Sequence, residues 1–262
     1  MRFGLAIAAV MATCAPVCAA DLAVKAPAPA AAAAPLSWQG FYAGVTAGAV
    51  IDASTVTPQL GGTFLQSDPV KHAIQYETAL GGSSTGFSAG ATIGYNWQWN
   101  AVVAGLEADF AYADRSQSGS EILPSLVNPG QFIVKDYALT GDWFGTVRAR
   151  LGYAVGATLL YATGGLAFGD GGTNLFIGGA NGAQYAWAGS SSSTRWGWTV
   201  GGGAETRIDA HWSVKAEYLY VNLGSSTFPL ANSPANPVPE FVIAASSDYA
   251  FNVVRAGVNY RF

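Results

Sequence analysis

Ten charged side chains of this 262-residue chain have positions from which they could take part in ion pairing, binding or transport. Each lies in a segment that alternates between apolar and polar residues, and it falls on the polar face, since strand side chains alternate between two faces. If acids and bases on neighbouring strands come together, the chemistry is ion pairing in a charge network. The alternative is a gated path for small polar solutes. The ten are Glu107, Asp109, Arg148, Arg150, Glu205, Arg207, Lys215, Glu217, Arg255 and Arg261.

Catalytic and metal chemistry find little support in the sequence. His72 lies in a long connection and His211 in a tight turn, so we expect them at opposite ends of the fold, both in solvent. No histidine lies in mid-strand beside a serine that could act as a nucleophile. Cys14 and Cys18 both fall in the predicted leader, so the exported chain has no thiol. We therefore predict no enzyme, no catalytic residue, no metal site and no cofactor.

The first 37 residues predict export. Arg2, an apolar stretch and small residues up to Ala20 are typical of a signal peptide over residues 1 to 20. The alternative, a lipoprotein acylated at Cys18, lacks the residues usual before that cysteine. Residues 21 to 37 are rich in Ala and Pro and predict an extended periplasmic linker. Without Arg2, 11 of the 12 basic residues remain against 16 acidic ones, a net charge of −5 that argues against nucleic acid as a partner.

Residues 38 to 262 contain eight alternating segments and are predicted to form one domain. The last segment is the clearest: apolar side chains up to Val258, Tyr260 and Phe262 share one face, while Arg255, Asn259 and Arg261 share the other. The fifth segment, 158 to 168, is apolar on both faces and its register stays open. The segments are about 40–50, 86–97, 101–113, 141–153, 158–168, 195–208, 212–222 and 249–262.

The connections between these segments are alternately long and short. Long connections cover 51–85, 114–140, 169–194 and 223–248, and short ones cover 98–100, 154–157 and 209–211. This asymmetry is typical of outer-membrane barrels, whose long loops face the outside. Acids in the long loops suggest a solvated surface that could also bind a ligand. Aromatic residues cluster at both ends of the segments, as expected of two membrane-surface girdles, with Tyr218, Tyr220 and Tyr249 at one of the long-loop ends.

Composition separates a membrane barrel from a soluble β-sandwich, which alternation alone cannot do. Charged residues make up 11 % of the chain, against roughly 25 % in soluble domains. After the leader, no apolar run approaches the ~20 residues of a spanning helix. The predicted fold is all-β: an eight-stranded antiparallel transmembrane up-and-down β-barrel with four long extracellular loops and short periplasmic turns. Eight strands enclose an interior that side chains fill.

Two glycine runs resemble phosphate-binding loops but lack the strand and helix that such loops join. We interpret glycines 201–203 as relief of crowding inside the sixth strand. Residues 169–172, Gly-Asp-Gly-Gly, are interpreted as the start of a flexible loop.

Four motifs resemble a known family: residues 38–44 (WQGFYAG), 148–153 (RARLGY), 161–167 (YATGGLA) and 255–262 (RAGVNYRF). They are similar to the small outer-membrane β-barrel family of alphaproteobacteria, RopB-type surface proteins related to OmpA and OmpX barrels. The resemblance implies a location in the cell outer membrane, contact with its lipid, and assembly by machinery that recognises a C-terminal strand ending in Phe, here Phe262 with Tyr260 and Val258. It implies no catalytic residue.

The function predicted from the residues and the resemblance is structural: envelope integrity and surface display. The alternatives are a narrow porin for small hydrophilic solutes, or surface binding of heme or a host ligand through the long loops.

Overall fold

A computed structural model describes residues 37 to 262 apart from 67–71, 73–75, 127–128, 180–184 and 234–236. The predicted signal peptide, and the linker except for Ser37, lie outside the described residues. The described part is a twelve-stranded antiparallel sheet. Its strands are β1 Gly40–Asp52, β2 Thr55–Gly62, β3 Leu80–Gly81, β4 Ser84–Trp99, β5 Val102–Ala113, β6 Gln117–Pro124, β7 Phe132–Thr140, β8 Trp143–Val155, β9 Thr158–Gly179, β10 Ala186–Arg207, β11 Trp212–Asn232 and β12 Phe241–Arg261.

Eight of the strands close into a ring, which confirms the predicted barrel. They pair in the order β1-β4-β5-β8-β9-β10-β11-β12, and β12 pairs back on β1 from Phe251 to Arg261. We call this closed ring the lower barrel. The pairing of the first strand with the last leaves no free edge, so every strand of the ring has two hydrogen-bonded neighbours.

The faces predicted from alternation agree with the side-chain exposure. In β1, Phe41 and Val45 are exposed outside the ring, whereas Tyr42 and Thr46 are buried inside it. The fifth segment, whose register the sequence leaves open, exposes Leu160 and Leu166 and buries Leu159, Tyr161 and Ala167. Glycines 201–203 relieve crowding as predicted, because a Cβ at Gly201 would lie 2.1 Å from the carbonyl oxygen of Tyr218.

Much of the four long connections is strand rather than loop. β12 pairs first with β2 and then with β1, and β9 pairs first with β7 and then with β8. Above the lower barrel these strands form what we call the upper sheet, in the order β6-β7-β9-β10-β11-β12-β2-β3. Its outer face carries Ser, Thr and Gly in place of apolar residues, as in residues 190–194 of β10, so the alternation that marks the lower barrel is missing.

Three of the interpretations from sequence are wrong here. Residues 169–172 lie inside β9, where a Cβ at Gly171 would lie 2.9 Å from Arg195 Nε, so this is no flexible loop. His72 is buried rather than solvated and packs edge-on against Phe64 at 5.1 Å between ring centroids. Tyr249 is buried inside rather than in an outer girdle, because it shares the inward face of β12 with Arg255. His211 is exposed in its short turn, as predicted.

The long strands are about twice the length that a membrane requires. A barrel strand crosses a bilayer in about 9–11 residues, and β9 to β12 have 21 or 22. Two apolar clusters fill the interior above the charged residues. One occupies the top of the lower barrel: Val50, Ala111, Ala113, Phe144, Ala167, Leu219, Val221, Leu223, Tyr249, Phe251 and Val253. The other is the core of the upper sheet: Val56, Phe64, Leu80, Ile133, Leu139, Leu175, Ile177, Trp187, Phe228, Leu230, Ile243 and Ala245.

Candidate functional site

Eight of the ten predicted charged residues meet in one network inside the lower barrel, which we call the lumen network. Strand pairing places Glu107 opposite Arg148, and Glu217 opposite Arg255, in hydrogen-bonded neighbours. Because every second residue of a strand points inward, one register fixes all of these side chains on the lumen side. The network contains Glu107, Asp109, Glu205 and Glu217 with Arg148, Arg150, Lys215 and Arg255.

Arg148 is the centre of the lumen network, since its guanidinium contacts three carboxylates. Nη2 donates to Asp109 Oδ2 at 2.8 Å and to Glu107, and Nη1 donates to Glu217 Oε1 at 3.0 Å. Arg255 joins two of the same acids, with Nη2 at 2.7 Å from Glu217 Oε2 and 3.2 Å from Asp109 Oδ2. The two arginines and their shared acids therefore cross the lumen from β5 and β8 to β11 and β12.

A second part of the network lies around Arg150. Its Nη2 is 2.9 Å from Glu205 Oε2, and its guanidinium carbon lies 4.0 Å above the ring of Tyr161. Tyr42 joins the two parts, because its hydroxyl donates to Glu107 Oε2 at 2.7 Å and accepts from Arg150 Nη1 at 3.1 Å. The two tyrosines were not predicted as members of the network. For Tyr42 the prediction was possible, because its position in the alternation of β1 places its side chain on the lumen face.

The lumen network is electrically balanced and buried. Four carboxylates face four cations, and none of the eight residues is more than 6 % exposed. Buried charges are tolerated when each is paired and hydrogen-bonded, and further donors such as Ser213, 2.6 Å from Glu205 Oε1, add to the contacts here, although Nε of Arg148 and Nε of Arg150 have no partner among the described residues. A continuous water column through the barrel would expose these side chains, so the arrangement fills the lumen at this level.

Arg207 and Arg261, the other two predicted residues, lie below the network at the short-turn end. Both donate from Nη1 to the carbonyl oxygen of Ser37, and the Arg261 guanidinium lies 5.0 Å from the centre of the Trp38 ring. Trp38 is 0 % exposed, and its backbone N–H donates to Gln98 Oε1 at 2.5 Å. The chain thus enters the lumen before β1 and closes its lower end with an indole ring. Sequence reasoning missed this role, since Trp38 precedes the first alternating segment.

Comparison with known proteins identifies the family. The model of the outer membrane protein β-barrel domain matches residues 6–262. The chain belongs to this family. A 31 kDa outer-membrane immunogenic protein of Brucella melitensis is 36 % identical over 98 % of this chain and 97 % of its own length. A 22 kDa outer membrane protein of Rhizobium leguminosarum is 30 % identical over 75 % of this chain and 83 % of its own. The predicted resemblance and the outer-membrane location are both confirmed.

Solved structures of low sequence identity are also similar. The outer membrane protein OprG from Pseudomonas aeruginosa is 12 % identical, with a TM-score of 0.46 over 86 % of this chain and 97 % of that one. Neisserial surface protein A is 14 % identical, with a TM-score of 0.39 over 85 % and 97 %.

As a member of the outer-membrane barrel family, the protein has its short turns on the periplasmic side and its upper sheet outside the cell. The predicted assembly residues lie at the periplasmic end of β12: Val258 and Phe262 are exposed on the outer face, and Tyr260 packs against Trp212 at 5.1 Å. Their recognition by assembly machinery stays a prediction. Among the described residues, no group of three or more His, Cys, Asp or Glu is placed to hold a metal ion.

Proposed function

We propose that this protein is a structural outer-membrane barrel that contributes to envelope integrity and displays the upper sheet at the cell surface. The observation that carries the proposal is the balanced, buried lumen network, which fills the space that a porin would keep open. Trp38 below it and the apolar cluster above it, with Phe144 and Phe251 at 5.3 Å between ring centroids, add two further layers of packed side chains.

Surface display is supported by the length of β9 to β12 and by the relatives. About ten residues of each of these strands extend beyond the membrane, so the upper sheet projects into the space outside the cell. The Brucella relatives are named immunogenic, and such a projecting, solvent-facing sheet is suited to recognition by antibodies. We infer no enzymatic activity, and we keep a narrow porin and heme or host-ligand binding as alternatives.

Conductance of the purified protein in planar bilayers tests the proposal. We expect the wild-type barrel to insert without stable single-channel steps. The matched variant is Arg148→Ala with Glu107→Ala, which removes one pair and most of its side-chain volume while keeping the lumen balanced, and it should admit small ions if the network forms the barrier. A steady channel in the wild-type protein would contradict the proposal and favour the porin, and an unchanged conductance in the double variant would show that this pair does not form the barrier.

A further inference from the structure

Regular backbone pairing between β10 and β11 is interrupted above the lower barrel, although the two strands stay close at both ends of the interruption. The two strands pair from Arg207 and Ser213 up to Trp198 and Asn222, and they pair again only at Ala188 and beyond, with a shifted register. We call residues 189–197 of β10 and 223–230 of β11 the β10–β11 gap. Exposed hydroxyl side chains lie along it on both strands: Ser190, Ser192, Ser193, Thr194, Ser225 and Thr227. Of those in β10, only Ser193 shares the parity of Arg195.

Arg195 lies in this gap and points inward. It is 8 % exposed, and its guanidinium carbon is 4.1 Å from the centre of the Tyr249 ring. Its one described hydrogen bond runs from Nη2 to the Tyr249 hydroxyl at a long 3.4 Å, and that hydroxyl is also 2.5 Å from Thr173 Oγ1. Within the part of the chain that the structure describes, Arg195 Nε has no hydrogen-bond partner.

No carboxylate of the described residues forms an ion pair with Arg195, in contrast to the two other buried cations of this region. Arg115 has Asp170 at 3.2 Å, and Lys135 has Glu121 at 3.1 Å. Asp248, the neighbour of Tyr249 in β12, is exposed on the opposite face of that strand. A buried guanidinium without a counter-charge is costly, so an anion supplied from outside the chain would stabilise this site.

The chemistry of the gap indicates which anion fits. A guanidinium offers a planar set of donors that matches the oxygens of a phosphate, and serine and threonine hydroxyls donate to the same oxygens. The neighbours of Arg195 in β10 include the exposed Trp196 and Trp198, and tryptophans of this kind lie at the level of the lipid headgroups. We propose that Arg195, reached through the β10–β11 gap, binds a phosphate group, either of an outer-leaflet lipid or free in solution.

Calorimetric titration of the folded barrel in dodecyl maltoside tests this proposal, with inorganic phosphate in one arm and soluble dihexanoyl phosphatidate in the other. We expect saturable binding of one phosphate per chain, weakened at least tenfold in Arg195→Gln. Binding of both probes identifies a site open to free phosphate, and binding of phosphatidate alone identifies a lipid headgroup site. If neither probe binds the wild-type barrel, or if Arg195→Gln binds as tightly as wild type, the proposal is wrong.

Two further variants separate a binding role from a general effect on folding. Tyr249→Phe keeps the ring below the guanidinium but removes the competing hydroxyl, so it should bind phosphate at least as tightly as wild type. Lys135→Gln removes a buried cation that already has an acid and should leave the affinity unchanged. Equal losses in Lys135→Gln and Arg195→Gln would contradict the proposal. Migration on unheated gels verifies that each variant is folded, and if Arg195→Gln does not fold, Arg195→Lys replaces it with a smaller expected loss.

Discussion

Replacing Arg148 by Met should destabilise the barrel by about 3–5 kcal/mol, the cost of leaving a buried charge uncompensated. Arg148 contacts Glu107, Asp109 and Glu217. These acids keep other partners, since Lys215 Nζ lies 3.1 Å from Glu107 and Arg255 contacts both of the others. The substitution therefore leaves three cations against four acids, an excess of one buried negative charge.

Restoring the balance should recover much of that stability. In Arg148→Met with Glu217→Gln, three cations face three acids, so we expect the pair of substitutions to cost less than the sum of the two single ones by about 1–3 kcal/mol. Urea unfolding of barrels folded into lipid vesicles, followed by tryptophan fluorescence, measures all four states of this cycle. Strict additivity, or a cost below about 1 kcal/mol for Arg148→Met alone, would refute the role assigned to the lumen network.

Three other predictions concern single sites. Trp38→Ala should cost about 3–5 kcal/mol in the same unfolding assay, whereas Trp99→Ala, at a ring that is 60 % exposed on the outer face, should cost far less. Gly201→Ala should cost about 1–3 kcal/mol because its Cβ would overlap a strand carbonyl, and Gly164→Ala, with 3.5 Å to its nearest neighbour, should stay within about 0.5 kcal/mol. Burial raises the pKa of Tyr76 to about 12, so the stability that its neutral form contributes is present below pH ~10 and is lost as the pH rises through 12. Difference absorbance between wild type and Tyr76→Phe should show its midpoint near 12, and a midpoint near ~10 would contradict its burial.

The lower barrel could be predicted because lipid and lumen impose opposite requirements on the two faces of each strand. Phe41 and Val45 alternate with Tyr42 and Thr46, and this period of two is readable in the sequence alone. The members of the lumen network follow from the same parity. Their individual partners do not, since a contact such as Arg255 with Asp109 crosses the lumen between strands that are not neighbours.

The upper sheet could not be predicted by the same criterion. Neither face of the strand has a large apolar residue over 190–194, so the alternation that predicts a strand is missing there. The backbone nevertheless pairs with β9 throughout this stretch. His72 was placed in solvent because nothing near it in sequence marks the aromatic neighbours, such as Phe64, that bury it. Arg195 is the first residue of the sixth predicted segment and has the same parity as Glu205 and Arg207, so its inward direction could have been predicted, but its lack of an acidic partner could not.

The lumen network also limits the order in which the barrel can form. The ion pair between Arg255 on the last strand and Asp109 can form only when the sheet has curled far enough to bring β12 across from β5. A half-closed sheet pushed into hydrocarbon would lack the pairs that cross the lumen and would present charged side chains to the lipid, each at a cost of several kcal/mol. Curling and entry into the bilayer are therefore expected to occur as one concerted event, without a stable intermediate of fewer strands.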